Sequence, residues 1–358
     1  MKKVLVGMSG GVDSSVCALI LREKGYDVTG VTLKLFSDED INQLEEAPVK
    51  CGSLTDADDA KSVADKLGFE HITLNFRDNF RKYVMTDFVN SYFAGATPNP
   101  CIQCNRHIKF SKMLESAKER GFDYIATGHY AVVEYDEKSG RYLLKRATDR
   151  SKDQTYVLYS LTQEQLAHTI FPLGTLTKSD VRALAENAEL VNSNKPDSQD
   201  ICFVPDGDYA SFIKKFTGKD SESGDFKDIN GKILGKHKGI INYTIGQRKG
   251  LGISLGKPAY VVNKDIETNS VIIGDEKDLY TSELIAEDVN LISVEEVTEP
   301  MRITAKTRYS QTEQPATLEK VSDNEYKVVF DIPQRAITKG QAVVFYDNDI
   351  VVGGGTIK

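Results

Sequence analysis

Three groups of residues in this chain have the types and spacing to do chemistry. The first is Gly7-Met8-Ser9-Gly10-Gly11-Val12-Asp13-Ser14-Ser15, directly after the apolar run Val4-Leu5-Val6. A strand that ends in small residues and hydroxyls and then turns into a helix leaves backbone N–H groups without internal partners, which makes an anion site. Gly10 and Gly11 remove the Cβ atoms that would keep a phosphate off the backbone, and Ser9, Ser14 and Ser15 add hydroxyl donors. Asp13 is a carboxylate suited to hold Mg²⁺ beside a bound pyrophosphate. The pattern has neither the Gly-Lys-Ser/Thr of a Walker A loop nor the Gly-x-Gly-x-x-Gly of dinucleotide folds. The plain structural alternative is a Gly-rich turn before a helix.

The second group is Thr97-Pro98-Asn99-Pro100-Cys101-Ile102-Gln103-Cys104-Asn105-Arg106-His107-Ile108-Lys109-Phe110. Two X-Pro pairs predict extended backbone before two thiols and a basic helix start, and a thiol beside Arg106 and a helix N-terminus is expected to have a lowered pKa. A structural turn or half of a metal site are the alternatives; with no second Cys-x-x-Cys in the chain, zinc is the weaker of them. The third group is Cys202, within Pro196-Asp197-Ser198-Gln199-Asp200-Ile201-Cys202-Phe203. Alone, a cysteine between Ile and Phe reads as a small buried hydrophobe.

The elements that must position these groups follow from periodicity. Residues 4–6, 27–35, 71–74 and 124–127 read as strands and residues 56–67, 76–93 and 109–120 as helices, with a first helix beginning near Ser14 and stopped by Gly25. A polar, acidic loop is expected over 37–47. Such alternation predicts a doubly wound parallel sheet with the Gly-rich loop at its carboxyl edge, where ligands bind in these folds. Lys138-Ser139-Gly140 marks a hairpin, and Thr177-Lys178-Ser179-Asp180 a capping-box helix start. After about Pro205 the helical period largely disappears. A Gly-rich basic stretch runs to about Gly256, and short β runs follow at 260–263, 271–273, 289–293, 302–307, 326–330, 342–346 and 350–352. The expected organisation is a catalytic α/β domain over 1–204, a small mixed domain over 205–276 and a closed antiparallel β-barrel over 277–358.

The totals agree with a large soluble chain. It has 358 residues, no apolar run of membrane-spanning length and no cleavable signal pattern, so a cytoplasmic location is expected. Its cysteines, Cys17, Cys51, Cys101, Cys104 and Cys202, are odd in number, which argues against a structural disulfide framework. A net charge of −8 argues weakly against nucleic acid as partner. Between Lys227 and Lys249, however, six basic residues face one acid, and Arg106, His107, Lys109 and Lys112 form a second basic cluster. Either is a solvated face or a local RNA contact.

The Gly-rich loop resembles that of the PP-loop ATP pyrophosphatases, which adenylate a carbonyl-type oxygen and release pyrophosphate. The cysteine stretches, together with Ala126-Thr127-Gly128-His129-Tyr130, Lys152-Asp153-Gln154 and Gly246-Gln247-Arg248-Lys249-Gly250-Leu251-Gly252, are similar over nearly the whole chain to the bacterial tRNA-specific 2-thiouridylase family. The resemblance implies ATP binding by Gly7, Met8, Ser9, Gly10, Gly11, Val12, Asp13, Ser14, Leu33 and Gly128, with Mg²⁺ arriving with ATP. It makes Cys104 the catalytic nucleophile and Cys202 the persulfide carrier, the two closing a transient disulfide. It places the target base at Asn99, Pro100 and Cys101, and tRNA at Lys152, Asp153, Gln154, Arg308 and Tyr309. Some family members carry Asp where this chain has Cys101.

The implied reaction is ATP-dependent 2-thiolation of the wobble uridine of tRNA, fed by a persulfide donor such as a cysteine desulfurase or sulfur carrier. Adenylation turns the uridine 2-oxygen into a leaving group, so sulfur has a reason to attack. Three other readings are an adenylating amide or C–N ligase acting on a small metabolite, a non-catalytic RNA-binding protein, and an iron–sulfur variant using Cys101 and Cys104.

Overall fold

The computed structural model describes residues 1–37, 54–196 and 201–358. Nearly all of the predicted acidic loop, Cys51, and Asp197 to Asp200 lie outside the described residues. Strands β1 (Lys3–Gly7), β2 (Asp27–Lys34), β3 (Glu70–Asn75), β4 (Tyr124–Thr127) and β7 (Thr169–Ile170) form one sheet in the order β3-β2-β1-β4-β7, every pair parallel. The continuous apolar run of β1 has a direct cause. Leu5 faces Ile102, Phe110 and Met113, whereas Val4 and Val6 face Val16, Leu21 and Val181, so both faces are covered. The strand order reverses between β1 and β4, and the crevice at their carboxyl ends is a ligand position in such sheets.

Among the described residues, five helical segments accompany the sheet: α1 (Val12–Glu23), α2 (Leu54–Leu67), α3 over 77–93, α4 over 100–119 and α6 (Lys178–Asn187). α3 and α4 each contain a π-helical stretch, Arg81–Met85 and Asn105–Lys112. Between α4 and α6 in chain order come the hairpin β5 (Ala131–Asp136) and β6 (Arg141–Arg146), and the short helix α5 (Gln163–Ala167).

A second sheet has the order β10-β11-β8-β9, from β8 (Gly224–Asp228), β9 (Ile233–His237), β10 (Tyr260–Asp265) and β11 (Ser270–Gly274), preceded by α7 (Tyr209–Thr217). The last six strands are β12 (Tyr280–Leu291), β13 (Met301–Lys306), β14 (Gln314–Lys320), β15 (Glu325–Arg335), β16 (Ala342–Asp347) and β17 (Ile350–Ile357). They follow one another as β12-β15-β14-β13-β16-β17, and pairing of β12 with β17 closes the antiparallel barrel. The β5–β6 hairpin joins its rim through Lys145 and Ile350. Leu144, Tyr156, Val344 and Val351 share one core cluster with Leu5, so the parallel sheet and the barrel are fused through apolar packing.

The predicted elements of the first sheet are present, with three differences. Helix α4 begins at Pro100 rather than near Lys109, because Asn99 caps it: its side chain accepts the Cys101 N–H at 3.1 Å, and proline sits at the first helical position. Both thiols therefore lie inside a helix. The two-residue β7, paired with β4, lies where no strand is expected from periodicity. Past Pro205, the helix α7 and the strands β8, β9 and β14 occupy stretches expected to be irregular.

One buried group in the second sheet makes stability depend on pH. Lys264 Nζ on β10 is buried without a hydrogen-bond partner, and burial pushes its ammonium down to about 8. Below that value the lysine is charged both folded and unfolded, and the fold carries the desolvation cost in full. Between there and the unfolded value the unfolded chain binds the extra proton, so stability rises with pH. Lys264→Met is expected to be more stable at pH 7 by on the order of 2 kcal/mol and to lose that rise, read by urea unfolding at pH 7 and pH 9.5. Equal pH dependence in both proteins would refute the assignment.

Candidate active site

The Gly-rich loop leaves β1 and enters α1 at the crevice where the strand order reverses. Gly11 is the N-cap of α1 and makes no side-chain cap, so the helix meets the crevice with its first N–H groups uncapped by any side chain. The loop is braced from within: Ser9 N–H donates to Ser14 Oγ at 3.2 Å, and the Ser14 and Ser15 hydroxyls donate to the Gly11 carbonyl at 3.0 and 3.1 Å. Gly10 has φ +72, and a Cβ there would stand 2.4 Å from the Asp56 carbonyl oxygen. A Cβ on Gly128, after β4, would stand 2.7 Å from the Asp13 backbone. These two glycines let three chain segments meet at one point.

Asp13 is not an open carboxylate. Its Oδ1 accepts from Lys178 Nζ at 2.7 Å and from the Tyr130 hydroxyl at 2.9 Å. Lys178 is the first residue of α6, whose capping box, Thr177 with Asp180, forms as predicted. Asn192, buried, donates to the Gly10 carbonyl and to Ser15 Oγ, both at 2.9 Å. Lys178, Tyr130 and Asn192 were not singled out as site residues by sequence reasoning. The capping box located Lys178 at a helix start, but nothing local indicates that this start faces Asp13. Among the described residues no group of three His, Cys, Asp or Glu side chains converges to hold a metal. The Asp13 carboxylate beside the loop is an oxygen ligand of the kind that would suit a Mg²⁺ ion carried by phosphates.

The thiols converge on the same sheet edge. Cys104 is buried in an apolar cluster with Leu35, Phe36, Phe80, Phe88 and Phe203, and Cys202 and Leu33 pack against that cluster. Leu33 is the penultimate residue of β2, so the predicted nucleotide contact and both predicted catalytic cysteines border one apolar mass. Cys101 lies three residues before Cys104, on the exposed side of the helix.

The expectation of an acidified thiol beside Arg106 is corrected at Cys101. Arg106 forms a bidentate ion pair with Asp288 of β12, and the cation acting on Cys101 is Lys109, whose pull is outweighed by burial that pushes the thiol up. His129 is buried between Phe110 and Phe171, and burial with Lys109 nearby holds it well below the usual imidazole range.

The predicted RNA contacts divide. Gln154 accepts the Tyr130 N–H at 3.0 Å, which links it to the Asp13 network, and Asp153 accepts the Ala147 N–H and the Thr155 hydroxyl. Arg308 Nη2 donates to the carbonyls of Ala336 and Ile245 and to Thr338 Oγ1. Tyr309 is exposed, with its ring edge-on to Tyr156, and burial raises its phenol with smaller contributions from Asp153 and Cys101. The structure thus gathers Cys101, Asp153 and Tyr309, from three separate segments, in one neighbourhood.

Comparison with known proteins agrees across the chain. Residues 2–206 match the family model described as tRNA methyl transferase HUP domain, residues 210–275 the tRNA methyl transferase PRC-barrel domain, and residues 281–357 the aminomethyltransferase beta-barrel domain. The tRNA-specific 2-thiouridylase MnmA of Clostridioides difficile is 54% identical over 357 residues, covering 100% of this chain and 98% of that protein. The protein of the same name from Acetivibrio thermocellus is 55% identical, covering 100% and 99%. Among solved structures, a 4-thiouridine synthetase–RNA complex with bound ATP is 17% identical with a TM-score of 0.38, covering 57% of this chain and 45% of that one, a likeness too distant to build on.

Proposed function

The chain belongs to the tRNA-specific 2-thiouridylase family, and from that premise we propose how its own residues carry out ATP-dependent 2-thiolation of a tRNA uridine. What supports the proposal is that the Gly-rich loop leaves the carboxyl end of β1 while Leu33, near the carboxyl end of the neighbouring β2, packs with Cys202 against the apolar cluster that holds Cys104. ATP lies with its phosphates against the N-terminus of α1, and Lys178 beside Asp13 offsets charge as pyrophosphate departs. Asp13 beside the loop would hold a Mg²⁺ ion brought by the nucleotide, which would supply further positive charge there.

The wobble uridine, unstacked from the anticodon loop, enters near Asn99, Pro100 and Cys101, with Lys152, Asp153, Gln154 and Tyr309 along its approach. Its 2-oxygen attacks the α-phosphorus and the bond to pyrophosphate breaks, leaving AMP on that oxygen. The terminal sulfur of a Cys202 persulfide then attacks C2. Cys104 thiolate attacks the inner sulfur of Cys202, and the persulfide S–S bond breaks. AMP departs, leaving 2-thiouridine and a Cys104–Cys202 disulfide that an external thiol reduces.

The sulfur comes from a persulfide donor, and the reaction takes place in the cytoplasm; no helix of the described residues is long and apolar enough to cross a membrane. Incubation with ATP, a persulfide donor and unmodified tRNA should yield 2-thiouridine with stoichiometric AMP. AMP formation driven by a small acid and indifferent to tRNA would instead favour a metabolite ligase.

A further inference from the structure

The reaction above uses two thiols and leaves a third, Cys101, without a task in it. Cys101 and Cys104 lie three positions apart in the first turns of α4. Asn99 caps that helix by accepting the Cys101 N–H at 3.1 Å, Pro100 stands at the first helical position, and Ile102 N–H donates to the Asn99 carbonyl at 3.1 Å. The Asn105 N–H is shared between the carbonyls of Cys101 and Ile102. Bonds that span three residues as well as four make this turn tighter than a regular α-helix and draw side chains three positions apart together. On a regular helix such positions have Cβ atoms about 5 to 6 Å apart, and a disulfide needs about 3.5 to 4.5 Å, so a small tightening closes a Cys101–Cys104 bridge.

The thiols differ in access. Cys104 is only 8% exposed, in the cluster of Phe80, Phe88 and Phe203, whereas Cys101 is exposed. Cys202 is half-buried at the margin of that cluster. A disulfide between Cys104 and Cys202 therefore forms against apolar side chains, where a protein dithiol reaches the Cys104 sulfur poorly. Cys101 stands one turn away, on the solvent side. Desolvation by neighbouring groups raises its thiol while Lys109 pulls the other way. A raised thiol has a small thiolate fraction of high intrinsic nucleophilicity, and placement on the same helix as the target sulfur offsets the small fraction.

We propose that Cys101 is the resolving thiol of this enzyme: it carries reducing equivalents from a dithiol in solution to the buried Cys104–Cys202 disulfide and frees Cys202 for a new persulfide. The inference rests on the thiouridylase reading above. Cys101 thiolate attacks the Cys104 sulfur, the bond to Cys202 breaks, and Cys202 leaves as a thiolate that takes up the proton Cys101 gave to solvent. A Cys101–Cys104 disulfide remains, and the protein has neither gained nor lost electrons. One thiolate of the dithiol then attacks the exposed Cys101 sulfur and Cys104 leaves as a thiolate, which is protonated. The second thiol of the dithiol displaces Cys101 from the mixed disulfide, so the dithiol ends oxidised by two electrons and all three cysteines end as thiols.

The test uses the full chain prepared without oxygen, with ATP, a persulfide donor and an unmodified tRNA transcript. After one turnover without reductant, acid quench, alkylation and peptide mass mapping are expected to find Cys101 bridged to Cys104 and Cys202 alkylated. With reduced thioredoxin as the dithiol, Cys101→Ser is expected to run its later turnovers about tenfold or more slowly relative to its own first turnover, and to accumulate the Cys104–Cys202 disulfide. Dividing by the first turnover removes any effect of this side chain on the entering base. Either a Cys104–Cys202 bridge persisting as the only disulfide in the wild type, or an undiminished ratio in Cys101→Ser, would overturn the resolving role and leave the thiouridylase reading standing. Iron bound through Cys101, seen as visible absorbance that Cys101→Ser loses, would overturn it as well. Absence of 2-thiouridine from the first turnover of the wild type would overturn the thiouridylase reading, and this inference with it.

Discussion

Cys202→Ser should abolish 2-thiouridine formation, by at least about a thousandfold, while leaving tRNA-dependent pyrophosphate release within about threefold of the wild type. A serine hydroxyl cannot hold a sulfane sulfur, so the second half of the reaction has no carrier. The first half depends on the Gly-rich loop and on Lys178, whose charge and backbone donors a Cys-to-Ser change leaves in place. Cys202 is only partly buried and packs at the margin of the Phe80, Phe88 and Phe203 cluster, so the substitution should cost under about 1 kcal/mol of stability. Measuring AMP and 2-thiouridine in the same reaction separates the two halves. Thiolation that survives in Cys202→Ser removes the persulfide role from this residue; parallel loss of both products in a folded protein would mean that Cys202 serves adenylation as well.

Lys178→Met should lower tRNA-dependent AMP formation by about two to three orders of magnitude, the range seen when a preorganised charge is removed from a site of developing negative charge. Its ammonium is mostly buried, 2.7 Å from Asp13 Oδ1, with Tyr130 as the remaining donor to that oxygen. Without the lysine, a partly buried carboxylate stands uncompensated next to the place of a polyphosphate, which opposes both ATP binding and pyrophosphate departure. The paired variant Asp13→Asn with Lys178→Met removes both charges and should recover ATP affinity relative to Lys178→Met alone, a coupling visible in a double-mutant cycle. Calorimetric titration with ATP and assay of AMP read the two effects. A rate within about threefold of wild type in Lys178→Met would exclude this lysine from the adenylation site.

Local signals in the chain account for many of the elements that hold the site. The continuous apolar run of Val4 to Val6, the glycines that follow it, the Lys138-Ser139-Gly140 turn and the Thr177–Asp180 capping box each depend on residues within a few positions of one another, and each forms in the structure. Elements whose stability comes from distant packing were poorly legible. β7 has two residues and exists because β4 offers it an edge; α7 is held by the aromatic cluster of Phe88, Phe203 and Phe212. In β14, Ala316 and Leu318 turn inward while polar residues alternate outward, a weak pattern completed by ladder bonds to β13 and β15.

The sequence by itself determined the chemistry: a phosphate loop between strand and helix, two thiol segments and a basic β-rich half, because these depend on residue type and near-neighbour spacing. Only the tertiary structure decided the partners. Lys178 lies 165 positions from Asp13, and Asp288 lies 182 from Arg106. Charge alone would have allowed Arg106 to acidify the neighbouring thiols, yet the closed barrel presents Asp288 to it first. Cys101 feels the Lys109 cation, and desolvation by the surrounding protein outweighs it and raises the thiol. A pairing between residues so far apart is set by how sheet and barrel pack, and that packing is written in no local pattern of the chain.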